Sequence, residues 1–202
     1  MEHLVTHLNL STPIITDNGA LIVDSKTNNI LWEVMLERTE ALQILDLATI
    51  KQNHRAYIST DMGIFEYAKE IPGSAKIRKI TIHNISMDQA NQLTKEIEQI
   101  FKNLSIVKAV SGEDGHLVDL YFSHAQATKQ HAVIKFAKLV GITPSEIIGI
   151  GDGYNDFSLL MACGLKVAMG NAVEEVKAIA DYIAPSVDDD GIADVIEKFI
   201  IE

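Results

Sequence analysis

Ile147-Ile148-Gly149-Ile150-Gly151-Asp152-Gly153-Tyr154-Asn155-Asp156 is the stretch whose reading decides the fold. A short apolar run that stops at a glycine reads as a strand over 147–150. Buried parallel strands are covered on both faces and lose the polar alternation of half-exposed ones. The turn after it carries Asp152, Asn155 and Asp156, and a helix over 155–162 begins at once. In open parallel sheets ligands sit just beyond the carboxyl ends of the strands. Clustered acidic oxygens at that place suit a hard divalent cation such as Mg²⁺. The same residues also satisfy plainer needs, with Asp152-Gly153 as a turn and Asn155-Asp156 as a helix cap.

Downstream of this stretch the pattern repeats. Strand 166–169, helix 172–180, strand 181–184 and helix 191–200 follow with short turns. Upstream, a helix from Thr128 to its stop at Gly141 has Ala132, Val133, Phe136, Ala137 and Val140 on its inner face. Such alternation predicts an α/β sheet covered by helices. Lys129 stands in the first turn of that helix, where the positive end of the dipole disfavours a cation by about 0.3–1 kcal/mol. An exposed surface lysine is one reading. A lysine holding a dianion is the other, because charge-assisted contacts to phosphate outweigh the dipole term.

The first 122 residues read differently. A helix over 2–10, a strand over 13–16, the turn Asp17-Asn18-Gly19 and a hairpin of strands 20–24 and 30–35 come first. Next come a helix over 39–52 and a strand over 55–59. An alternating strand over 77–83 leads to a helix opened by the capping box Ser86-Met87-Asp88-Gln89. A hairpin of strands 105–110 and 117–122, turned at residues 112–115, closes the block. Asn18-Gly19-Ala20 follows a strand end, so it reads either as an ordinary turn or as part of the same crevice. Gly170-Asn171-Ala172 reads first as a turn with Asn171 as a helix cap, and Asp188-Asp189-Asp190-Gly191 as the cap of the last helix. The seven histidines show no metal spacing, and Cys163 reads as a small buried residue.

Composition narrows the partners. The net charge of −11 argues against nucleic acid or an anionic membrane surface, but not against a small phosphorylated ligand. No apolar run reaches the ~18 residues of a membrane span, and the first residues lack the basic start of a secretory signal. The single cysteine excludes an internal disulfide framework and makes a cytoplasmic setting the default.

Taken together, Lys129, residues 148–156, Val167-Ala168-Met169-Gly170-Asn171-Ala172, Ala180-Asp181-Tyr182 and Asp190-Gly191-Ile192-Ala193 resemble the haloacid dehalogenase superfamily, and its Cof-type branch most closely. Pro13-Ile14-Ile15 with Asn18-Gly19-Ala20 is similar to that branch's passage into its cap domain. The resemblance implies a Rossmann-type core with an inserted α+β cap. Residues 1–29 would be a partial core, 30–122 the cap and 123–202 the rest of the core. It implies a Mg²⁺-dependent phosphatase that hydrolyses a small phosphorylated metabolite through an aspartyl-phosphate. Carried over by position, Asp152 would be a metal ligand and Asp156 its supporting carboxylate in the metal site. Asn155 would contact the substrate phosphate, and Lys129 would be the catalytic lysine neutralising phosphoryl oxygens. Asn18 and Gly19 would lie at the cap hinge.

The family's nucleophile stands in an Asp-x-Asp-Gly-Thr motif on an N-terminal strand, and no such segment is present here. The expectation is therefore a core lacking its first strands, in an N-terminally truncated chain that is inactive by itself. The alternative is a catalytically dead phosphate- and Mg²⁺-binding or regulatory module.

Overall fold

Isoleucines at alternate positions organise the first part of the chain, and short parallel strands organise the second. A computed structural model describes residues 2–51, 54–67, 71–111 and 116–201. By their contacts these fall into two compact units, residues 1–128 and 129–202.

The first unit opens with helix α1 (Glu2–His7) and strands β1 (Ile14–Thr16), β2 (Leu21–Val23) and β3 (Ile30–Glu33). The strands pair antiparallel in that order. Helix α2 (Arg38–Leu45) continues as a π-helical turn over Asp46–Lys51. Strands β4 (Ala56–Thr60), β5 (Gly63–Glu66) and β6 (Ile77–Ser86), helix α3 (Met87–Ile100), and strands β7 (Leu104–Ser111) and β8 (Leu117–His124) complete the unit. The five strands form one antiparallel sheet in the order β5-β4-β6-β8-β7.

Ile58, Ile80, Ile82, Leu120 and Phe122 are fully buried in one cluster with Ala41, Ile44 and Leu45 of α2 and Leu93 and Ile97 of α3. Each large side chain buried there contributes roughly 1.5–3 kcal/mol of apolar transfer. Two irregularities keep β6 in phase with this core. The register shifts opposite Ser59–Thr60 and again between Ile82 and Ile85, where Asn84 has φ 54. Each extra residue resets the period-two alternation, so Ile77 and Ile85 join the core instead of pointing to the open face. The expected capping box is present: the Ser86 hydroxyl accepts from Gln89 N–H at 3.2 Å, and the Gln89 side chain accepts from Ser86 N–H at 2.9 Å.

The second unit contains α4 (Lys129–Val140), β9 (Ile148–Gly151), α5 (Phe157–Leu160), β10 (Leu165–Ala168), α6 (Glu174–Lys177), β11 (Tyr182–Ile183) and α7 (Gly191–Phe199). Its sheet is parallel, in the order β11-β10-β9. Leu160, Ala168 and Val176 are buried together, and Val167, Met169, Ala184 and Val195 form a second cluster. Gly141, at φ 79, ends α4 as the sequence predicts.

Several element boundaries differ from expectation. The first helix ends at His7 rather than residue 10, and Leu8 is 61% exposed. Thr39 does not cap α2, whose first turn follows Glu37. Strand β5 was not anticipated, because Gly63 and the exposed Ile64 lack a clear alternation. The helices expected over 155–162 and 172–180 shrink to α5 and α6. A 3₁₀ turn at Tyr154–Asp156 takes up the start of the first, and Val173 rather than Asn171 caps the second. The cap expected from the acidic run also fails, since Asp190 is left-handed at φ 55 and makes no side-chain cap bond. The turn at 112–115 and Gln52 lie outside the described residues. Among those residues, no helix is long and apolar enough to cross a membrane.

Candidate active site

In the second unit, β9 ends at Gly151 and the chain turns sharply through Asp152 and Gly153 into the 3₁₀ turn. That turn folds the Asp156 side chain back onto the strand end. A Cβ on Gly151 would lie 2.4 Å from Asp156 Cβ, a separation that carbon atoms do not tolerate. The glycine thus makes room for the carboxylate. Asp156 Oδ2 accepts from the backbone N–H groups of Asp152 and Gly153 at 3.1 and 3.2 Å. The Lys129 ammonium donates to its Oδ1.

Asp156 is only 8% exposed. Burial works against its ionisation, but the Lys129 ammonium and the two backbone donors outweigh burial and hold the carboxyl below its usual range. This contact also accounts for a cation in the first turn of α4. Asp156 offsets the unfavourable dipole term there, and both its oxygens are engaged. A bound dianion is not needed to explain Lys129, although a contact to one is compatible with a lysine's three donors.

Asp152 is exposed at the carboxyl end of β9. Its carbonyl accepts from Val173 N–H at 2.9 Å. Its carboxylate accepts from the Asn171 side-chain amide at 3.3 Å, and Asn171 in turn accepts from Val187 N–H at 3.1 Å. Asn171 therefore ties the loop after β10 to Asp152 and to the segment leading into α7, a role that reading it as a cap missed. Its position beyond an adjacent parallel strand was the available signal. Asn155 lies half-buried within the same turn. Among the described residues, no group of three or more His, Cys, Asp or Glu side chains gathers as a self-sufficient metal cage. One carboxylate at a strand end does fit the way Mg²⁺ is held, by one or two carboxylates together with waters and substrate phosphate.

Asn18 and Gly19 belong to the first unit, in a turn where Asp17, Asn18 and Gly19 all have positive φ (51, 56 and 99). The neighbouring Asp17, which the sequence reading passed over, accepts from Ser59 Oγ at 3.0 Å and pairs with Lys79 at 3.4 Å. Cys163 is buried, and burial pushes its thiol up.

Comparison with known proteins bears on this arrangement. A model of a family described as haloacid dehalogenase-like hydrolase matches residues 1–196. The chain is similar to the 5-amino-6-(5-phospho-D-ribitylamino)uracil phosphatase YcsE of Bacillus subtilis. The two are 27% identical over 200 residues, covering 99% of this chain and 77% of the relative. It is similar also to a phosphoglycolate phosphatase of Methanopyrus kandleri, 25% identical over 202 residues, covering 98% and 76% respectively. Among solved structures, a haloacid dehalogenase-like hydrolase from B. subtilis superposes with a TM-score of 0.84 at 21% identity, covering 98% of this chain and 83% of that one.

Proposed function

The chain belongs to the haloacid dehalogenase-like hydrolase family, and we propose that it handles the phosphate and Mg²⁺ of a phosphatase acting on a small phosphorylated metabolite. The observation that carries this reading is the Lys129–Asp156 pair locked against the end of β9. It holds a lysine and the exposed Asp152 carboxylate around one strand terminus, the charge pattern that phosphoryl transfer requires.

In this reading Asp152 is the direct Mg²⁺ ligand, oriented by Asn171. Asp156 supports the site by fixing Lys129 and the backbone of Asp152 and Gly153. Lys129 neutralises phosphoryl oxygens with donors not used by Asp156, and Asn155 contacts the phosphate. When bound, Mg²⁺ supplies Lewis-acid neutralisation of phosphoryl charge. Residues 30–122 are the cap, residues 1–29 and 123–202 belong to the core, and Asn18-Gly19 forms the hinge. The two named relatives are phosphatases with different organic substrates, which supports a shared phosphate chemistry without fixing the leaving group. A single cysteine supports a cytoplasmic setting.

Hydrolysis through an aspartyl-phosphate needs an aspartate nucleophile, and residues 1–202 contain no Asp-x-Asp-Gly-Thr segment. That observation favours a second reading for these residues alone, a module that binds phosphate and Mg²⁺ without turnover. The test is calorimetric titration of the 202-residue chain with orthovanadate, with and without Mg²⁺, beside turnover of p-nitrophenyl phosphate. The expected result is Mg²⁺-dependent vanadate binding, lost in Asp152→Asn and in Lys129→Ala, with no turnover. Vanadate binding that ignores both substitutions refutes the site, and turnover by this chain refutes the second reading.

A further inference from the structure

The chain passes from the first unit to the second through residues 125–128, between β8 and α4, and Lys129 opens α4 directly after them. Their neighbours close these residues into a turn. The His124 carbonyl accepts from Ala127 N–H at 2.7 Å, and the Asn103 carbonyl accepts from Ala125 N–H at 3.1 Å. Ser123 Oγ donates to the Ala127 carbonyl at 3.2 Å. At the tip of the turn, Gln126 N–H donates at 3.2 Å to Nδ1 of the half-buried His124 ring.

That last bond fixes the state of the ring. A backbone N–H can only donate, so Nδ1 is bare and the proton of the neutral imidazole sits on Nε2. Nε2 lies 3.0 Å from the Asn103 side-chain amide, and there the ring donates while the amide presents its oxygen. A ring held this way has no place for a second proton, because a proton on Nδ1 would meet the Gln126 N–H head on. The charged groups on the elements beside it bond elsewhere. On β6, Lys79 pairs with Asp17 and Arg78 with Glu33. Beyond α3, Lys102 donates to the Glu98 carbonyl, and on α4 Lys129 pairs with Asp156.

We propose that His124 is a pH-sensitive latch on this linker. Neutral, it closes the turn that leads the chain into Lys129; protonated, it withdraws the acceptor and releases Gln126 N–H. Histidine is the side chain whose charge ordinarily changes between pH 5 and 8, so mild acidification is the trigger. Losing one such bond changes the ratio of closed to open turn about two- to tenfold. The bonds made by Ala125, Ala127 and Ser123 contain no titrating atom, so release loosens the linker without unfolding β8. The latch touches the phosphatase reading only through Lys129 and does not depend on it.

Nitrogen NMR shifts of the ring and backbone amide protection, corrected for the intrinsic pH dependence of exchange, test the latch in the 202-residue chain from pH 8 to pH 5. At pH 8 His124 is expected as the Nε2–H tautomer, and Gln126 protection should fall about two- to tenfold as the ring titrates. His124→Asn keeps a short side-chain acceptor two residues before that N–H but cannot titrate, so Gln126 should stay protected throughout. His124→Ala should leave it unprotected at both pH values. The Lys129 amide should shift together with the wild-type His124 ring. His131, two residues beyond Lys129, carries a second imidazole, and the part of the shift that survives in His124→Asn is its share. An Nδ1–H tautomer at pH 8 or a Gln126 amide indifferent to pH overturns the proposal. So does a Gln126 response, or a full Lys129 shift, that persists in His124→Asn. Vanadate binding that ignores Asp152→Asn and Lys129→Ala, with these readouts as expected, refutes the phosphate site alone.

Discussion

Removing the Lys129 ammonium tests whether the second unit is organised around its pair with Asp156. Lys129→Ala leaves a carboxylate that is 8% exposed with two backbone donors and no cation. Breaking a fully buried pair by deleting one partner costs about 3–5 kcal/mol. Here the Lys129 side chain is 24% exposed and both backbone donors remain, so a loss of about 2–3 kcal/mol is expected at pH 7. For a chain of this size that corresponds to a fall in Tm of about 4–12 °C.

The pH dependence carries the sharper test. The folded wild-type Asp156 carboxyl sits below its usual range. Its stabilising contribution is therefore fully present above the unfolded value of about 3.9 and is lost as pH falls through the lower folded value. Without Lys129, burial, the largest single influence, faces only the two backbone donors, so the folded value is expected to rise above the unfolded one and the variant to gain relative stability as it protonates. The stability gap between wild type and variant should narrow from pH 7 to pH 4. Urea unfolding at several pH values measures it. A gap under 0.5 kcal/mol at pH 7, or one that stays constant down to pH 4, would falsify this account; the first threshold is roughly the scatter of surface substitutions.

Other substitutions probe separate links. Gly151→Ala places a methyl 2.4 Å from Asp156 Cβ; it should destabilise the chain by roughly 1–3 kcal/mol and abolish vanadate binding, as read by thermal melting and calorimetry. Asn171→Ala removes the donor to Asp152 and the acceptor for Val187 N–H. It should weaken Mg²⁺-dependent vanadate binding about 10–100-fold, while unchanged affinity would show that Asn171 does not orient Asp152. Ser86→Ala deletes the α3 capping box and should cost about 1 kcal/mol in urea unfolding, with vanadate binding unaffected.

Local chemistry made much of this legible in advance. The short apolar run stopped by Gly151 reads as a strand, and β9, β10 and β11 do pair in parallel, but Ile148 and Ile150 are only half-buried rather than fully covered. Ser86 and Gln89 encode their own capping box, which needs no distant partner. Where contacts with remote residues decide conformation, expectation and structure part. Asn171 is as good a helix cap as any asparagine, yet its amide is claimed by Asp152 and Val187, residues 19 and 16 positions away. The irregularities of β6 are equally silent in the sequence, since only the partner strands show that Ile77 and Ile85 must be turned back toward the core.

The stretch from Ile147 to Asp156, read alone, determined a strand, a glycine break and a crowd of polar groups at its end, because hydrophobic pattern and glycine's lack of a Cβ act over a few residues. Tertiary structure decided how those groups divide their work. Asp156 is drawn inward, satisfied by Lys129 and two backbone donors, because a buried carboxylate needs compensation within hydrogen-bonding reach. Asp152 stays exposed beside Asn171. Two aspartates of identical chemistry, four residues apart, thus become a buried anchor and an exposed carboxylate, a difference set by what the fold places next to each.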